Sequence, residues 1–222
     1  HLLPKSRPTD ATIFHFGRRW AARADVQPET EEYLQRIQEW RDAWRPAVVH
    51  GLLVAESHVA EHPGDLACRV VPTEGTPERL PAGYCRLVYC LGYGENELCS
   101  PAPEKNHRGT IQYWDIFGKV AYGLQSEQPR KRDSSLATRI QWKLGDLRNL
   151  RNRGIWLVDS GVVAFYAPGC GHPFTPTVKA KMLRESWLQF VWPQVEAEPL
   201  SQVWVIGVGV GDALHGLPRI EA

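Results

Sequence analysis

Between Thr30 and Pro46 the apolar positions Tyr33, Ile37, Trp40 and Trp44 recur at steps of four, three and four. That spacing lays one apolar stripe along a helix, with Glu31, Glu32, Arg36, Glu39, Arg41 and Asp42 largely outside it. Thr30 is placed as its N-cap and Pro46 marks its end. The residues before it, 1–27, mix Pro, Arg and aromatics and show no clear period. After it the pattern changes. Ala47 to Ala55 is nearly continuously apolar and rich in β-branched residues, as strands buried on both faces are, and it runs straight into the polar group Glu56-Ser57-His58.

Residues 61–83 are rich in Pro and Gly and read as loop. Arg86 to Tyr93 fits either a short strand or a helical turn. Tyr113-Trp114-Asp115-Ile116-Phe117 opens an aromatic helical segment, Pro129 to Arg132 reads as a basic turn, and Arg139 to Leu150 reads as a helix that ends at Gly154. Ile155 to Asp159 repeats the earlier motif, a buried strand ending on a carboxylate. Gly169 to Pro173 reads as a loop. Thr175 to Glu196 predicts a long helix with Val178, Met182, Leu183, Leu188 and Val191 inward. Gln202 to Gly207 predicts a third buried strand, and a last helix starts over Gly211 to His215. Helices alternating with buried strands imply an α/β domain. The expected architecture is a three-layer α/β/α sandwich with a central, mainly parallel four-stranded sheet, formed as one domain over residues 1–222.

Composition narrows the classes of function. Lys and Arg number 26 against 25 for Asp and Glu. A protein that coats nucleic acid by charge alone is usually more basic, whereas one that grips DNA along a single face need not be. Nine Trp are many for this length, and some are expected to line a groove. No run of about 18 apolar residues and no signal-peptide pattern occurs. The expectation is a monomer that does not enter membranes and works inside the cell, in the cytoplasm (the bacterial nucleoid) or the nucleus. The chain opens on His1, so its natural start is expected upstream, or His1 remains from a tag. Cys68, Cys85, Cys90, Cys99 and Cys170 are odd in number and lack the C-x2-C pairs of a metal site. They are expected as free thiols, with no metal and no cofactor.

Ligands of open α/β sheets bind outside the carboxyl ends of the strands. Glu56, Ser57 and His58 are therefore the first candidates for chemistry, and Asp159 holds the equivalent place on the next strand. A carboxylate there can hold or activate a water. It can equally complement the start of a helix, and Asp159 can equally cap the turn into Ser160-Gly161. His58, His62, His172 and His215 are too scattered for a metal site. Gly207-Val-Gly209-Val-Gly211 matches part of a dinucleotide fingerprint but fits a tight strand-to-helix turn better. Arg130, Lys131 and Arg132 form one basic cluster and Arg148, Arg151 and Arg153 another, either of which can meet phosphates or simply face solvent.

The order of these segments resembles the uracil-DNA glycosylase superfamily. Leu52-Leu-Val-Ala-Glu-Ser-His58 is similar to that family's first motif, a strand followed by a loop that carries the water-activating residue. Glu56 falls on the Glu of the classes that read Gly-Glu-Ala-Pro-Gly, and Ser57 falls on the catalytic Asp of the Gly-Gln-Asp-Pro-Tyr class. Gly154-Ile-Trp-Leu-Val-Asp159 resembles the strand Gly-Val-Leu-Leu-Leu-Asn, whose Asn reads the uracil edge. Arg184 to Val191 resembles the Trp-containing helix, and Val203 to Leu214 the strand and helix before the last motif. The departures are Ser57-His58-Val59 where the family has a Pro, Asp159 for Asn, no iron–sulfur ligands, and no terminal His-Pro-Ser motif before Ala222.

The resemblance implies hydrolysis of the N-glycosidic bond of uracil, or a related deaminated base, in DNA after base flipping. Glu56 would orient the water, and backbone N–H groups from Glu56 to His58 would stabilise the departing base. Asp159 would read the base, with Tyr89, Tyr93 and Trp114 as candidate stacking faces. Arg130, Lys131, Arg132, Arg151 and Arg153 would contact DNA. The alternatives are a damaged-DNA-binding module of the same fold without activity, an α/β hydrolase of small metabolites, and an interaction protein. The lack of Gly-x-Ser-x-Gly speaks against an esterase of the nucleophile-elbow kind.

Overall fold

The computed structural model describes residues 10–71, 80–104, 111–165 and 174–220. Its elements divide between two compact units: one built from residues up to 35, 47–61 and from 155 on, the other from 36–46 and 62–154.

The first unit holds a parallel sheet with helices around it. Strands β1 (Gly51–Ala55), β4 (Ile155–Asp159) and β5 (Gln202–Val205) run in the order β4-β1-β5. β1 pairs with β4 from Gly51 opposite Ile155 to Ala55 opposite Asp159, and with β5 from Gly51 opposite Gln202 to Val54 opposite Val205. Every residue of β1 and β4 is buried, which explains why their sequences are apolar up to the terminal Asp159 of β4 rather than alternating.

The sheet has three strands where four were expected. Arg86 to Tyr93 forms turns, closed by Cys90 N–H to the Leu87 carbonyl and Tyr93 N–H to the Cys90 carbonyl. β5 was expected to be buried and is instead an edge strand. Its Gln202 and Trp204 are exposed, and its apolar run reads the same as that of a central strand.

Helix α1 (Asp10–Ala24) lies within the stretch 1–27 that showed no clear period. Its buried residues Ile13, Phe16, Trp20 and Ala21 do share a face, but Phe14, Arg18 and Arg19 beside them blur the pattern. Helix α2 (Glu31–Ala43) follows the expected stripe, with Tyr33, Ile37, Trp40 and Trp44 all buried. The Thr30 hydroxyl caps it by accepting from Tyr33 N–H at 3.2 Å.

The long C-terminal helix is α5 (Pro176–Ser186), a π-helical turn over Trp187–Val191, and α6 (Trp192–Val195). Leu183, Trp187, Val191 and Val195 are buried at four-residue steps. Each such step overshoots a regular helical turn by about 40°, so three of them would carry the last residue off the core face. The wider i→i+5 turn takes up this drift. It also leaves Leu188, expected inward, exposed. Helix α7 (Val208–Leu214) follows β5.

The second unit contains the antiparallel pair β2 (Arg69–Val70) and β3 (Cys99–Ser100), with helices α3 (Ile111–Tyr122) and α4 (Leu136–Asn152). Ser135 caps α4 by accepting from Thr138 N–H, and Gly154 ends the segment at φ 70°, in the left-handed region that only glycine adopts without strain. Three buried ion pairs, centred on Asp65 and Glu95, organise this unit. Arg86 binds Asp65 through two bonds, at 2.6 and 3.1 Å. Glu95 accepts from Arg139 at 2.8 Å and from Lys143 at 2.8 Å. Burial works against ionisation of Glu95, but its bonds to Arg139 and the charge of Lys143 outweigh that and hold its carboxyl below the ordinary range. For Lys143 burial wins and its ammonium is shifted down.

Asp146, on α4, is the opposite case. It is fully buried and neither carboxylate oxygen has a hydrogen-bond partner among the described residues, so burial pushes its pKa up from 3.8 to about 7. The folded state therefore holds this proton over a pH range in which the unfolded chain has lost it. Stability falls as pH rises from about 4 to about 7 and then levels off. Asp146→Asn is expected to stabilise the protein by roughly 1–3 kcal/mol at pH 8 and by less at pH 5. Urea midpoints of both proteins at the two pH values check this.

Candidate functional site

The carboxyl edge of the sheet in the first unit brings together the candidates read from the two strand ends. Ala55 lies opposite Asp159, so Glu56 and Ser160 leave the sheet side by side. The two loops are then stitched together. Ser160 N–H and Oγ both donate to the Ala55 carbonyl at 2.8 Å, and Gly161 N–H donates to the Glu56 carbonyl at 2.7 Å. A Cβ on Gly161 would run into the Phe165 ring and press on the Glu56 carbonyl at 3.1 Å, so a larger residue would force the loops apart.

Glu56 is half-buried and forms an ion pair with Lys179 of α5. The Ser57 hydroxyl accepts from Phe165 N–H at 3.3 Å and donates to the His58 carbonyl at 3.0 Å, so it fastens the loop. His58 is buried and its Nε2 lies 2.9 Å from Glu29 Oε1. The other oxygen of Glu29 accepts from Ala164 N–H at 2.8 Å. One carboxylate thus ties the loop after β1 to the loop after β4. Glu61 adds an exposed tie, accepting from the Thr30 N–H and hydroxyl at 2.9 and 2.7 Å. Asp159 is 5% exposed, so little of it is open to solvent. The site as built offers one accessible carboxylate, held by two cross-linked loops, and one ammonium from α5. That set can orient a water and stabilise an anion.

Lys179 and Glu29 escaped the sequence reading. Lys179 lies on a mixed helical face, and Glu29 sits between Pro28 and the cap Thr30. Their partners are distant in the chain, and only the fold brings them together.

The remaining candidates belong to the second unit. Tyr89 and Tyr93 are buried, Tyr89 stacking on Phe117 at 6.4 Å and Tyr93 with its phenol pushed up by burial. Trp114 is buried edge-on to Phe117 at 5.5 Å. Arg130, Lys131 and Arg132 form an exposed turn before α4, in which Arg132 pairs with Asp133 at 2.9 Å and Lys131 lies 3.5 Å from Glu95. Arg151 and Arg153 are exposed and hydrogen-bond the carbonyls of Ala43 and Val120, so each covers the last turn of a helix. Trp114, Arg130 and Lys131 line one cleft of about 710 Å³.

Cys68, Cys85, Cys90 and Cys99 are free and buried; burial raises the Cys85 thiol and pushes Cys99 up to about 12. No group of three metal-binding side chains occurs among the described residues. None of the helices there is long and apolar enough to cross a membrane. The expected loop Gly169–Pro173, with Cys170 and His172, lies outside the described residues.

No protein-family model matches the chain, and neither a curated protein nor a solved structure matches it significantly.

Glu29→Ala would leave the Ala164 N–H without its acceptor and deprive the buried His58 of its carboxylate. It is expected to cost about 3 kcal/mol. Glu61→Ala, which removes only exposed bonds, is expected to cost less than about 1 kcal/mol. Denaturant unfolding of the two variants tests the contrast.

Proposed function

We propose that the protein is a DNA-repair glycosylase that hydrolyses the N-glycosidic bond of uracil, or of a related deaminated base, after flipping it from the duplex. The supporting observation is the pairing of the motif strands. The three apolar segments whose order resembles the uracil-DNA glycosylases are the three strands of one parallel sheet, so Glu56 and Asp159 meet at the same edge. On this reading the helices around the sheet complete a three-layer α/β/α sandwich, and the enzyme acts as a monomer wherever the cell keeps its DNA.

In the proposed mechanism the glycosidic bond lengthens first, leaving positive charge on the sugar and negative charge on the base. Glu56 orients the water and faces the developing cation. Lys179, paired with Glu56, supplies a positive charge near the departing base. Asp159 sets the choice of base. An ionised carboxylate accepts from uracil N3–H but cannot donate to O4, so it favours bases that present more donors. The burial of His58 and Asp159 also favours a second reading, a module that binds damaged DNA and cuts nothing. Tight uracil-DNA binding without base release is its signature.

The test is base release from duplexes carrying uracil, hypoxanthine or xanthine. Glu56→Gln is expected to lower the rate by about 10²–10⁴-fold. Asp159→Asn is expected to shift preference toward uracil, because an amide both donates and accepts. Absence of release from all three duplexes by the wild-type full-length protein overturns the enzymatic reading.

A further inference from the structure

We infer that the cleft beside α3 and α4 is a nucleotide-binding site, in which Trp142, supported by the buried Trp114, receives the base and Arg130 and Lys131 receive the phosphate. The inference does not depend on the base-excision reading. The cleft is lined by the second unit alone, and Glu56, Ser57, His58 and Asp159 take no part in it.

The cleft encloses about 710 Å³, within the roughly 300–1,000 Å³ typical of small-molecule sites. Its aromatic wall is a corner: the indole rings of Trp114 and Trp142 stand 6.5 Å apart at 62°. Trp114 is buried, while Trp142 is half-buried and keeps part of its surface in the cleft. Gly118 fixes Trp142 from behind, since a Cβ there would come within 3.0 Å of the ring. The exposed part of the Trp142 ring accepts the flat face of any base.

Charge supplies the other half of the recognition. Glu95 lines the cleft and is already engaged by Arg139 and Lys143, and Lys131 reaches it at 3.5 Å, so three cations share one buried carboxylate. The exposed Glu97, 3.7 Å from Arg139 and 3.8 Å from Lys131, offsets only part of that excess. Arg130 lines the cleft and makes no ion pair among the described residues. Asp115 and Glu127 also line it; Lys119 neutralises Asp115 at 2.7 Å and Glu127 offsets one further cation, so Arg130, Lys131, Arg139 and Lys143 exceed the remaining carboxylates by one charge. The Lys143 ammonium lies 5.0 Å over the Trp114 ring, so that face of the indole is already taken by a cation. A flat heterocycle carrying a phosphate satisfies both walls at once, whereas a neutral aromatic leaves the cations unused and a bare anion leaves the Trp142 ring unused.

The experiment is calorimetric titration of the full chain with thymidine 5′-monophosphate, thymidine and inorganic phosphate, with the indole N–H resonances followed by NMR. The nucleotide is expected to saturate, with thymidine and phosphate each at least about tenfold weaker. Arg130→Ala/Lys131→Ala, both surface positions, is expected to weaken the nucleotide about tenfold and leave thymidine unchanged. Trp142→Ala is expected to weaken the nucleotide and thymidine together, and Trp142→Phe, which keeps an aromatic face, is expected to restore most of the loss. Glu56→Gln is expected to bind as the wild type does, which separates this site from the sheet edge. A pentathymidylate that binds more tightly than the monomer assigns the nucleotide to single-stranded DNA; equal or weaker binding assigns it to the free pool. The proposal is overturned by absence of saturation, by equal affinity for nucleotide and thymidine, or by unchanged nucleotide binding in Arg130→Ala/Lys131→Ala.

Discussion

Strand β1 is hydrogen-bonded along both edges, and the geometry of the first unit follows from that constraint. A central parallel strand cannot slide without breaking two ladders, so its carboxyl end is a fixed point. Glu56 leaves the sheet at that point with its own carbonyl already bonded to Gly161 N–H, and its direction is set before its side chain makes any contact. The Glu29 carboxylate extends the same fixity outward, one oxygen on His58 and the other on Ala164. Residues that the sequence offers as reactive thus divide by task. Ser57 and His58 hold the loops, and Glu56 with Lys179 is left with exposed surface on which chemistry can act.

The second unit solves a different problem. Its strands are two residues each, too short to organise a core, and buried charge takes on that work. Arg36 donates to the Leu66 carbonyl at 2.8 Å, the Trp40 indole donates to the Gly83 carbonyl at 2.7 Å, and Arg86 grips Asp65. Side chains reaching backbone carbonyls replace the ladders of a sheet. Such contacts are directional and give the loops one arrangement, although ion pairs of this kind add little net stability over apolar packing. The same device at Glu95 leaves cations facing an open cleft.

Much of the architecture was legible in the chain because periodicity reports burial. The stripe from Tyr33 to Trp44 and the two apolar runs ending at Ala55 and Asp159 each became the element expected. Periodicity failed where burial and secondary structure part company. In α1, Phe14 and the arginines interrupt the inward face of Ile13, Phe16 and Trp20. In β5, an edge position tolerates the same residues as a central one, and Trp204 is 38% exposed. At the site, Glu56 was visible because it follows its strand directly. Lys179 and Glu29 were not, because each acquires its meaning from a residue far along the chain. The cleft was half visible: Trp114, Arg130 and Lys131 stood out singly, but only the packing of α3 on α4 sets them around one space.

The π-helical turn at Trp187–Val191 gives the chain a place where its length is adjustable. A helix holding one surplus residue in a single wide turn can lose that residue by closing to regular bonding, with the flanking turns keeping their positions. Elsewhere in the helix a deletion would rotate everything beyond it by about 100° and turn Val195 out of the core. Evolutionary change in length between β4 and β5 therefore has a preferred address, and a one-residue gap at that address would leave the strand order and the edge that carries Glu56 intact.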